Sequence, residues 1–273
     1  MLSARRRGRC RVSALYAEVS GRGRRDLVLL HGWGMNLRVF DGLAAALAGR
    51  FRVIAIDLPG HGRSDWDPLA YSPAAQAFRV HETLAPLTTR YHLLGWSLGG
   101  QFALDLAAAM PAAIERLVLV ATTPRFLAGP DWRCGLKDAS LARLEAAVRA
   151  DPAQAVDEFL RLEVRGCTRR TARQALATLR NALAAHGSAD PAALAWGLAR
   201  LRAADLRAQL GQVRRPALVI AGRADPITPP QAARALAAAL PKGRYRSLAN
   251  AGHVPFLTHA RQFATLLRGF LRG

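Results

Sequence analysis

Residues 95–100 read GWSLGG and contain the pattern Gly-x-Ser-x-Gly, with Ser97 at its centre. The apolar run YHLLGWS (91–97) leads into this stretch, and a helical run begins directly after it. A serine at a sharp turn from a buried strand into a helix is typical of a nucleophile, because small flanking residues allow the turn and leave the hydroxyl accessible. The alternative is a glycine-rich turn without chemistry. A phosphate-binding turn is disfavoured, since neither a dinucleotide fingerprint nor a P-loop lysine is present.

Outward from this turn, short apolar runs alternate with helical stretches rich in Ala and Leu. The runs are nearly continuously apolar, as parallel strands covered on both faces must be; they are LVLLHG (27–32), RVIAIDLPG (52–60), YHLLGWS (91–97), RLVLVAT (116–122) and ALVIAG (217–222). Helices are predicted at 41–49, 73–86, 98–110 and 230–240. The alternation predicts an α/β fold with a mostly parallel, doubly wound sheet. VSALYAEVSG (12–21) is predicted to add an antiparallel edge strand.

One interval, from Thr123 to Pro216, contains no convincing strand. It carries helical patterns instead, and Asp151-Pro152 and Asp190-Pro191 have the residue types of a helix N-cap followed by the first helical position. We therefore expect a helical insertion, acting as a lid, at 124–202. The core would be divided into a first part at 1–123 and a second part at 203–273.

A serine nucleophile needs a base, and three histidines follow Ser97 in the chain. His253, in ANAGHVPFLTH, follows the presumed last strand RYRSLAN at the carboxyl edge of the sheet, and we expect it to be the base. His186 lies in the helical insertion, where we expect a surface position. His259 is expected to pack against or cap the following helix.

The acid of a triad should follow a strand between the serine and the histidine. Asp225, in ALVIAGRADPITP, lies just beyond the strand 217–222 and is the candidate. An aspartate before Pro226 also commonly forms a turn, and both roles are compatible. Asp205 is only the second choice for the acid, because it comes too early in the chain and lies within a helical stretch.

An oxyanion hole is expected from the backbone N–H groups of Trp33 and Leu98. Trp33 lies in HGWGMN (31–36), after the first central strand, where this class of fold presents a second donor. The Trp33 side chain is expected to form one wall of an acyl pocket, and His31 to brace the loop.

The net charge of the chain indicates which kinds of partner it can bind. The 273 residues carry a net charge of +20, almost wholly from arginine, and such a field attracts acidic partners. No nucleic-acid recognition motif accompanies the charge, which is spread along the chain. We therefore expect no binding of nucleic acid. Base composition of the coding sequence is the alternative source of the arginines.

Cysteine usage and hydropathy favour a reduced, cytoplasmic location. Cys10, Cys134 and Cys167 are too few and too scattered for a disulfide framework or a zinc site, and we expect no metal or cofactor. No apolar run is long enough to span a membrane. The basic N-terminus MLSARRRGRCR lacks an apolar segment after it, which disfavours a secretory signal and leaves a transit peptide as the alternative.

Together these motifs resemble the α/β-hydrolase superfamily over nearly the whole chain. The chain resembles one family more closely, the pimeloyl-[acyl-carrier protein] methyl ester esterases of biotin synthesis, through HGWG (31–34), DLPGHGRS (57–64) and GWSLGG (95–100). The resemblance implies a carboxylesterase that acts on a methyl ester carried by acyl carrier protein. It assigns Ser97, Asp225 and His253 to the triad, with Trp33 and Leu98 at the oxyanion and acyl-pocket positions.

The resemblance also implies substrate contacts from a segment similar to FLRLE, which comprises Phe159, Leu160, Arg161, Leu162 and Glu163. The family tends to carry an uncharged amide where this chain has Glu163. Around this segment, arginines could steer an acidic carrier protein; the candidates are Arg161, Arg165, Arg169, Arg170 and Arg173. The alternative for them is an ordinary solvated surface.

Other functions remain open from the sequence. The same triad would serve a broad-specificity short-chain carboxylesterase or a carbon–carbon bond hydrolase. A catalytically silent binding protein of the same fold is disfavoured by the intact Ser, Asp and His. A monomer is expected.

Overall fold

The computed structural model describes residues 14–272. Cys10 and the basic N-terminal stretch lie outside the described residues. Within these residues, seven strands form one sheet: β1 (Ala17–Ser20), β2 (Arg25–Leu30), β3 (Phe51–Ile56), β4 (Tyr91–Trp96), β5 (Ile114–Val120), β6 (Ala217–Gly222) and β7 (Gly243–Leu248).

Ten α-helices accompany the sheet in the described part of the chain. They are α1 (Asp41–Leu47), α2 (Pro73–Leu84), α3 (Leu98–Ala109), α4 (Asp138–Ala150), α5 (Pro152–Glu163), α6 (Arg169–His186), α7 (Pro191–Ala203), α8 (Pro230–Ala239), α9 (Pro255–Thr258) and α10 (Ala260–Arg272). Short 3₁₀ helices occur at Leu37–Phe40 and Arg207–Gln212.

The sheet has the order β1-β3-β2-β4-β5-β6-β7 and confirms the predicted α/β class. β1 pairs antiparallel with β3, as expected for the opening segment, and the other neighbouring strands are parallel. All residues of β4 and β6 are buried, which explains why their sequences are apolar without alternation.

The strand order reverses between β2 and β4. The chain leaves β2 towards β3 on one side and returns to β4 on the other, so the loops that follow β2 and β4 diverge. A crevice opens at the carboxyl ends of two such strands, where α/β sheets bind their ligands. The segment 31–36 follows β2 and Ser97 follows β4, so both candidate motifs lie at this crevice.

Helices α4 to α7 all lie between β5 and β6, in the interval where the sequence lacks a strand. The Asp151 side chain accepts a hydrogen bond from Gln154 N at 3.0 Å, and that of Asp190 from Ala192 N at 2.7 Å. The following prolines, Pro152 and Pro191, begin α5 and α7. Both predicted helix starts are therefore confirmed, because a capping carboxylate and a fixed proline φ act locally.

Among residues 14–272, no helix is both long enough and apolar enough to cross a membrane.

Candidate active site

Ser97 occupies a strained turn between β4 and α3. Its backbone has φ 55° and ψ −118°, which is rare for a residue with a side chain. Close packing on both sides requires glycine: a Cβ on Gly95 would lie 2.3 Å from the Gly99 carbonyl oxygen, and one on Gly99 would lie 2.4 Å from that of His31. The glycines of the motif thus have a steric cause, and Ser97 keeps a 7% exposed surface at the crevice.

His253 and Asp225 are brought together from the loops after β7 and β6. His253 Nδ1 lies 2.8 Å from Asp225 Oδ2, and both side chains are fully buried. Asp225 Oδ1 also accepts hydrogen bonds from Ile227 N at 2.8 Å and Thr228 N at 3.1 Å, and Oδ2 accepts one from Thr228 Oγ1 at 2.7 Å. Asp205 lies elsewhere, exposed and hydrogen-bonded to Arg207.

The loop that carries His253 is attached to the Ser97 turn. The indole Nε1 of Trp96 donates to the main-chain oxygen of His253 at 2.9 Å, and the two rings lie 5.8 Å apart. His253 Nε2 is buried and has no hydrogen-bond partner within residues 14–272. With Nδ1–H bonded to Asp225, the lone pair of the imidazole is on Nε2.

Trp33 and Leu98 lie side by side at the crevice. A Cβ on Gly197 would be 2.7 Å from Trp33 Cδ1 and 3.3 Å from Leu98 Cδ2, so both residues pack against α7. The Trp33 indole donates to Leu194 O at 2.9 Å, which fixes its ring. Leu98 is the first residue of α3, and the first amides of a helix have no intrahelical acceptor.

Two buried histidines hold the loop after β2. His31 Nδ1 donates to Gly32 O at 2.8 Å and its Nε2 accepts from Leu58 N at 2.9 Å, so His31 braces the loop as expected. His61 Nε2 accepts from Gly34 N at 3.3 Å. Burial lowers the pKa of both rings, and their mutual repulsion lowers that of His31 further, so both are neutral acceptors. No pattern in the sequence indicated this role for His61.

A cavity of about 630 Å³ lies between α4, α5, α7 and the loop after β6. It is lined by Trp33, Phe159 and Leu162, and Phe159 meets Trp33 edge-on at 5.0 Å between ring centroids. Leu160 is buried on a different face of α5, away from this cavity. The FLRLE segment therefore divides between two faces, because a helix turns about 100° per residue.

The charged residues of the same segment differ in their surroundings. Arg161 is exposed, bonds to Asp157 through its Nε at 3.0 Å, and lines the cavity mouth with Arg165. Glu163 is only 1% exposed, and neither of its carboxyl oxygens has a hydrogen-bond partner within the described residues. Burial, and secondly the nearby Asp225, raise the pKa of Glu163 well above its usual range. Nothing in the sequence indicated this burial.

Three of the arginine candidates, Arg169, Arg170 and Arg173, form a shallow exposed surface at the start of α6. These three arginines form no ion pair within residues 14–272, and neither does Arg165. Arg143, on α4, also lines the cavity mouth, although no motif in the sequence pointed to it.

The surface position expected for His186 is wrong. His186 is 5% exposed, and its Nε2 lies 2.7 Å from Asp57 Oδ2 at the end of β3. Asp57 also accepts from Leu37 N at 2.7 Å and Arg63 N at 2.9 Å. This second His–Asp pair joins the end of α6 to the end of β3. His259, by contrast, is half-buried between α9 and α10 and bonds locally to Thr258.

Comparison with known proteins agrees with this geometry. Residues 27–260 match the family model of the alpha/beta hydrolase fold. The chain is 39% identical to a pimeloyl-[acyl-carrier protein] methyl ester esterase of Nitrosomonas europaea, over 93% of this chain and 98% of the relative. It is also 39% identical to the protein of that name from Stenotrophomonas maltophilia, over 95% of this chain and 97% of the relative.

Among solved structures, a hydrolase from Pseudomonas aeruginosa PA01 superposes with a TM-score of 0.76 at 31% identity, covering 94% of each chain. The chain therefore belongs to the alpha/beta hydrolase fold family and, within it, to the family of pimeloyl-[acyl-carrier protein] methyl ester esterases.

Proposed function

We propose that this protein is a serine carboxylesterase that hydrolyses the methyl ester of pimeloyl-[acyl-carrier protein], releasing methanol and the free pimeloyl-carrier acid for biotin synthesis. The observation that carries the proposal is the 39% identity to esterases of this name over more than nine-tenths of the chain. The hydrogen-bonded Asp225–His253 pair beside the Ser97 turn supports the chemistry.

Ser97 Oγ attacks the carbonyl carbon of the methyl ester, and His253 Nε2 takes the hydroxyl proton. Asp225 keeps the imidazole proton on Nδ1 and stabilises the imidazolium that forms. The free, buried Nε2 and the bonded Nδ1 of His253 support this division of roles. Thr228 and the adjacent amides hold the Asp225 carboxylate in place.

The tetrahedral oxyanion is bound by the main-chain N–H groups of Trp33 and Leu98. The side chains of Trp33 and Leu98 meet around Gly197, which supports a common site for the two residues. One oxyanion donor typically contributes about 10²–10³-fold to the rate. His253 then gives its proton to the leaving methoxide, which departs as methanol. Water attacks the acyl-enzyme by the same route, with His253 again as base, and releases the carboxylic acid and Ser97.

The acyl chain occupies the cavity bounded by Trp33, Phe159 and Leu162. Its apolar walls and its volume of about 630 Å³ suit a short dicarboxylic chain and part of the carrier's linker arm. Another cavity, of about 690 Å³ between α2, α3 and α7, has its charged groups Asp105 and Arg200 paired to each other, so it offers no free charge to a substrate.

The acidic carrier protein docks on the unpaired arginines Arg165, Arg169, Arg170 and Arg173. The first turn of α6 contains no acidic residue, and its positive end adds to the field of these side chains. Cations are disfavoured at a helix N-terminus unless an anion compensates them, which supports a partner at this surface. The proposal includes a monomeric protein acting in the cytoplasm, without nucleic acid.

The test is complementation of a biotin-requiring strain that lacks its own pimeloyl methyl ester esterase. We expect growth without biotin from the wild-type gene and none from a Ser97→Ala gene expressed at the same level. Hydrolysis of p-nitrophenyl esters by the purified protein, without complementation, would favour a broad-specificity esterase instead.

A further inference from the structure

The end of helix α5 fits closely against both loops that carry the proposed base and acid. The main-chain oxygen of Glu163 accepts a hydrogen bond from His253 N at 2.9 Å, and a Cβ on Gly252 would lie 2.8 Å from that same oxygen. Gly166, with φ +83°, packs so tightly that a Cβ would lie 2.3 Å from Ala224 Cβ. The turn after α5 is thereby fixed to the neighbours of His253 and Asp225.

The Glu163 side chain is buried, and the nearby charge of the Asp225 carboxylate acts on it. Asp225 accepts three hydrogen bonds from residues 227–228 and a fourth from His253, whereas Glu163 has none within the described residues. Two neighbouring buried carboxyl groups do not both ionise readily, and the one with more donors keeps the charge. The proton therefore belongs on Glu163.

No other charge is placed to offset an ionised Glu163 within the described residues. Of the elements packed against it, the loop after β6 carries Asp225 and the exposed Arg223, and the loop after β7 carries His253. The arginines of its own segment, Arg161 and Arg165, are exposed to solvent. Burial and the charge of Asp225 raise the pKa of the Glu163 carboxyl, in agreement with these contacts.

We propose that Glu163 is a positioning residue that works as a neutral acid: its main-chain carbonyl holds the His253 loop, and its protonated side chain stays buried without adding a second negative charge near Asp225. This inference rests on the roles proposed above for Asp225 and His253. The imidazolium that forms at His253 then faces one carboxylate rather than two.

The first test is the unfolding equilibrium of wild type and Glu163→Gln in urea between pH 5 and pH 8. A glutamate ionises near pH ~4.3 in an unfolded chain. Between that pH and its higher folded value, the folded protein binds one proton more than the unfolded chain, so the wild type loses stability as pH rises. Glu163→Gln lacks this loss. Over this pH interval, the folding equilibrium constant of Glu163→Gln divided by that of the wild type should rise about tenfold per pH unit.

Glu158→Gln is the matched control, since Glu158 is exposed on the same helix and should give a difference independent of pH. A pH-independent difference for Glu163→Gln as well would show that Glu163 is ionised in the folded protein, and would overturn the proposal. Glu163→Met provides a second neutral variant of similar length. Failure of both neutral variants to fold at pH 7 would also overturn it.

The second test is the pH profile of kcat/KM for a p-nitrophenyl ester. If Glu163 is neutral, kcat/KM should fall at the same acidic pH in the wild type and in Glu163→Gln; this fall is the acid limb of the profile. Loss of a real negative charge would make the nearby imidazole easier to deprotonate and would move that limb to lower pH, which would contradict the proposal. The unfolding measurement requires no turnover, so it stands even if the proposed enzyme activity is wrong.

Discussion

The backbone of Ser97 is held in a conformation that costs free energy. A non-glycine residue in such a region typically costs about 1–3 kcal/mol and persists only where its surroundings fix it. Here Ser97 N donates to Val120 O at 2.9 Å, and Thr122 Oγ1 donates to Ser97 O at 2.7 Å. Strand β5 and the loop after it therefore stabilise the turn that presents the hydroxyl, which is the arrangement a nucleophile requires.

Ser97→Ala tests the nucleophile directly. We expect hydrolysis of a p-nitrophenyl ester to fall by on the order of 10⁴-fold or more, since the remaining triad has no nucleophile to activate. The backbone bonds of the turn do not use the hydroxyl, so circular dichroism and the melting temperature should stay close to wild type. A variant that keeps most of its turnover would exclude Ser97 as the nucleophile.

Asp225→Asn tests the acid. The amide can no longer hold the imidazole proton on Nδ1, and we expect kcat to fall by roughly 10⁴-fold. Asp205→Asn is the control, because Asp205 is exposed and paired with Arg207. Similar losses in the two variants, measured on the same free ester, would contradict the assignment of Asp225.

The two ends of helix α6 differ in their surroundings. Its first turns present Arg169, Arg170 and Arg173 to solvent, and its last residue, His186, is buried against Asp57. Asn36 adds a second attachment there, since its Nδ2 donates to Ala182 O at 2.9 Å. One element thus connects a basic surface to the carboxyl edge of the sheet.

Charge reversal on α6 separates the carrier-specific function from a general esterase. We expect the combined variant Arg169→Glu, Arg170→Glu, Arg173→Glu to lower kcat/KM for the pimeloyl-carrier methyl ester, most strongly at low salt, and to spare a p-nitrophenyl ester. Exposed charges contribute roughly 0.2–1 kcal/mol each, so the three are changed together.

The control for this variant is Arg22→Glu, Arg24→Glu, Arg50→Glu. It changes the net charge equally at exposed positions before β2 and β3, at the opposite edge of the sheet. Equal losses in both triple variants, or a parallel decline with the free ester, would mean that the α6 arginines are only a solvated surface.

The His186–Asp57 pair is expected to contribute to stability. His186→Ala leaves a buried carboxylate with one donor fewer, and we expect the free energy of unfolding in urea to fall by about 3 kcal/mol. His81→Ala is a suitable control, because His81 is half-buried and has no ion pair within residues 14–272. If both substitutions lowered the free energy of unfolding by an equally small amount, the His186–Asp57 pair would not be stabilising the packing of α6.

For the whole molecule, the parallel sheet gathers groups that are distant in the chain at one edge. The loops after β2, β4, β6 and β7 supply Trp33, Ser97, Asp225 and His253, because parallel strands all end at the same side. The helices inserted between β5 and β6 add the apolar cavity wall. The sheet therefore gathers the polar groups of the candidate site, while the insertion adds walls to the neighbouring cavity.

Much of this arrangement follows from the sequence, because it depends on local patterns. Continuous apolar runs predict buried parallel strands, and Asp-Pro pairs predict helix starts, since capping acts over about three residues. The glycines around Ser97 predict its turn for the same reason. The chain order of serine, acid and base is enough to predict that Asp225 and His253 lie at the carboxyl edge of the sheet.

Tertiary structure alone decided the surroundings of the other polar groups. His186 lies 129 residues from Asp57 in the chain, and no local pattern reveals that they pair. The burial of Glu163, and the turning of Leu160 away from the cavity that Phe159 lines, depend on how α5 packs against the neighbouring helices and loops. Burial and ionisation are set by packing between distant segments, because desolvation depends on every atom that excludes water and not on the neighbours in the chain.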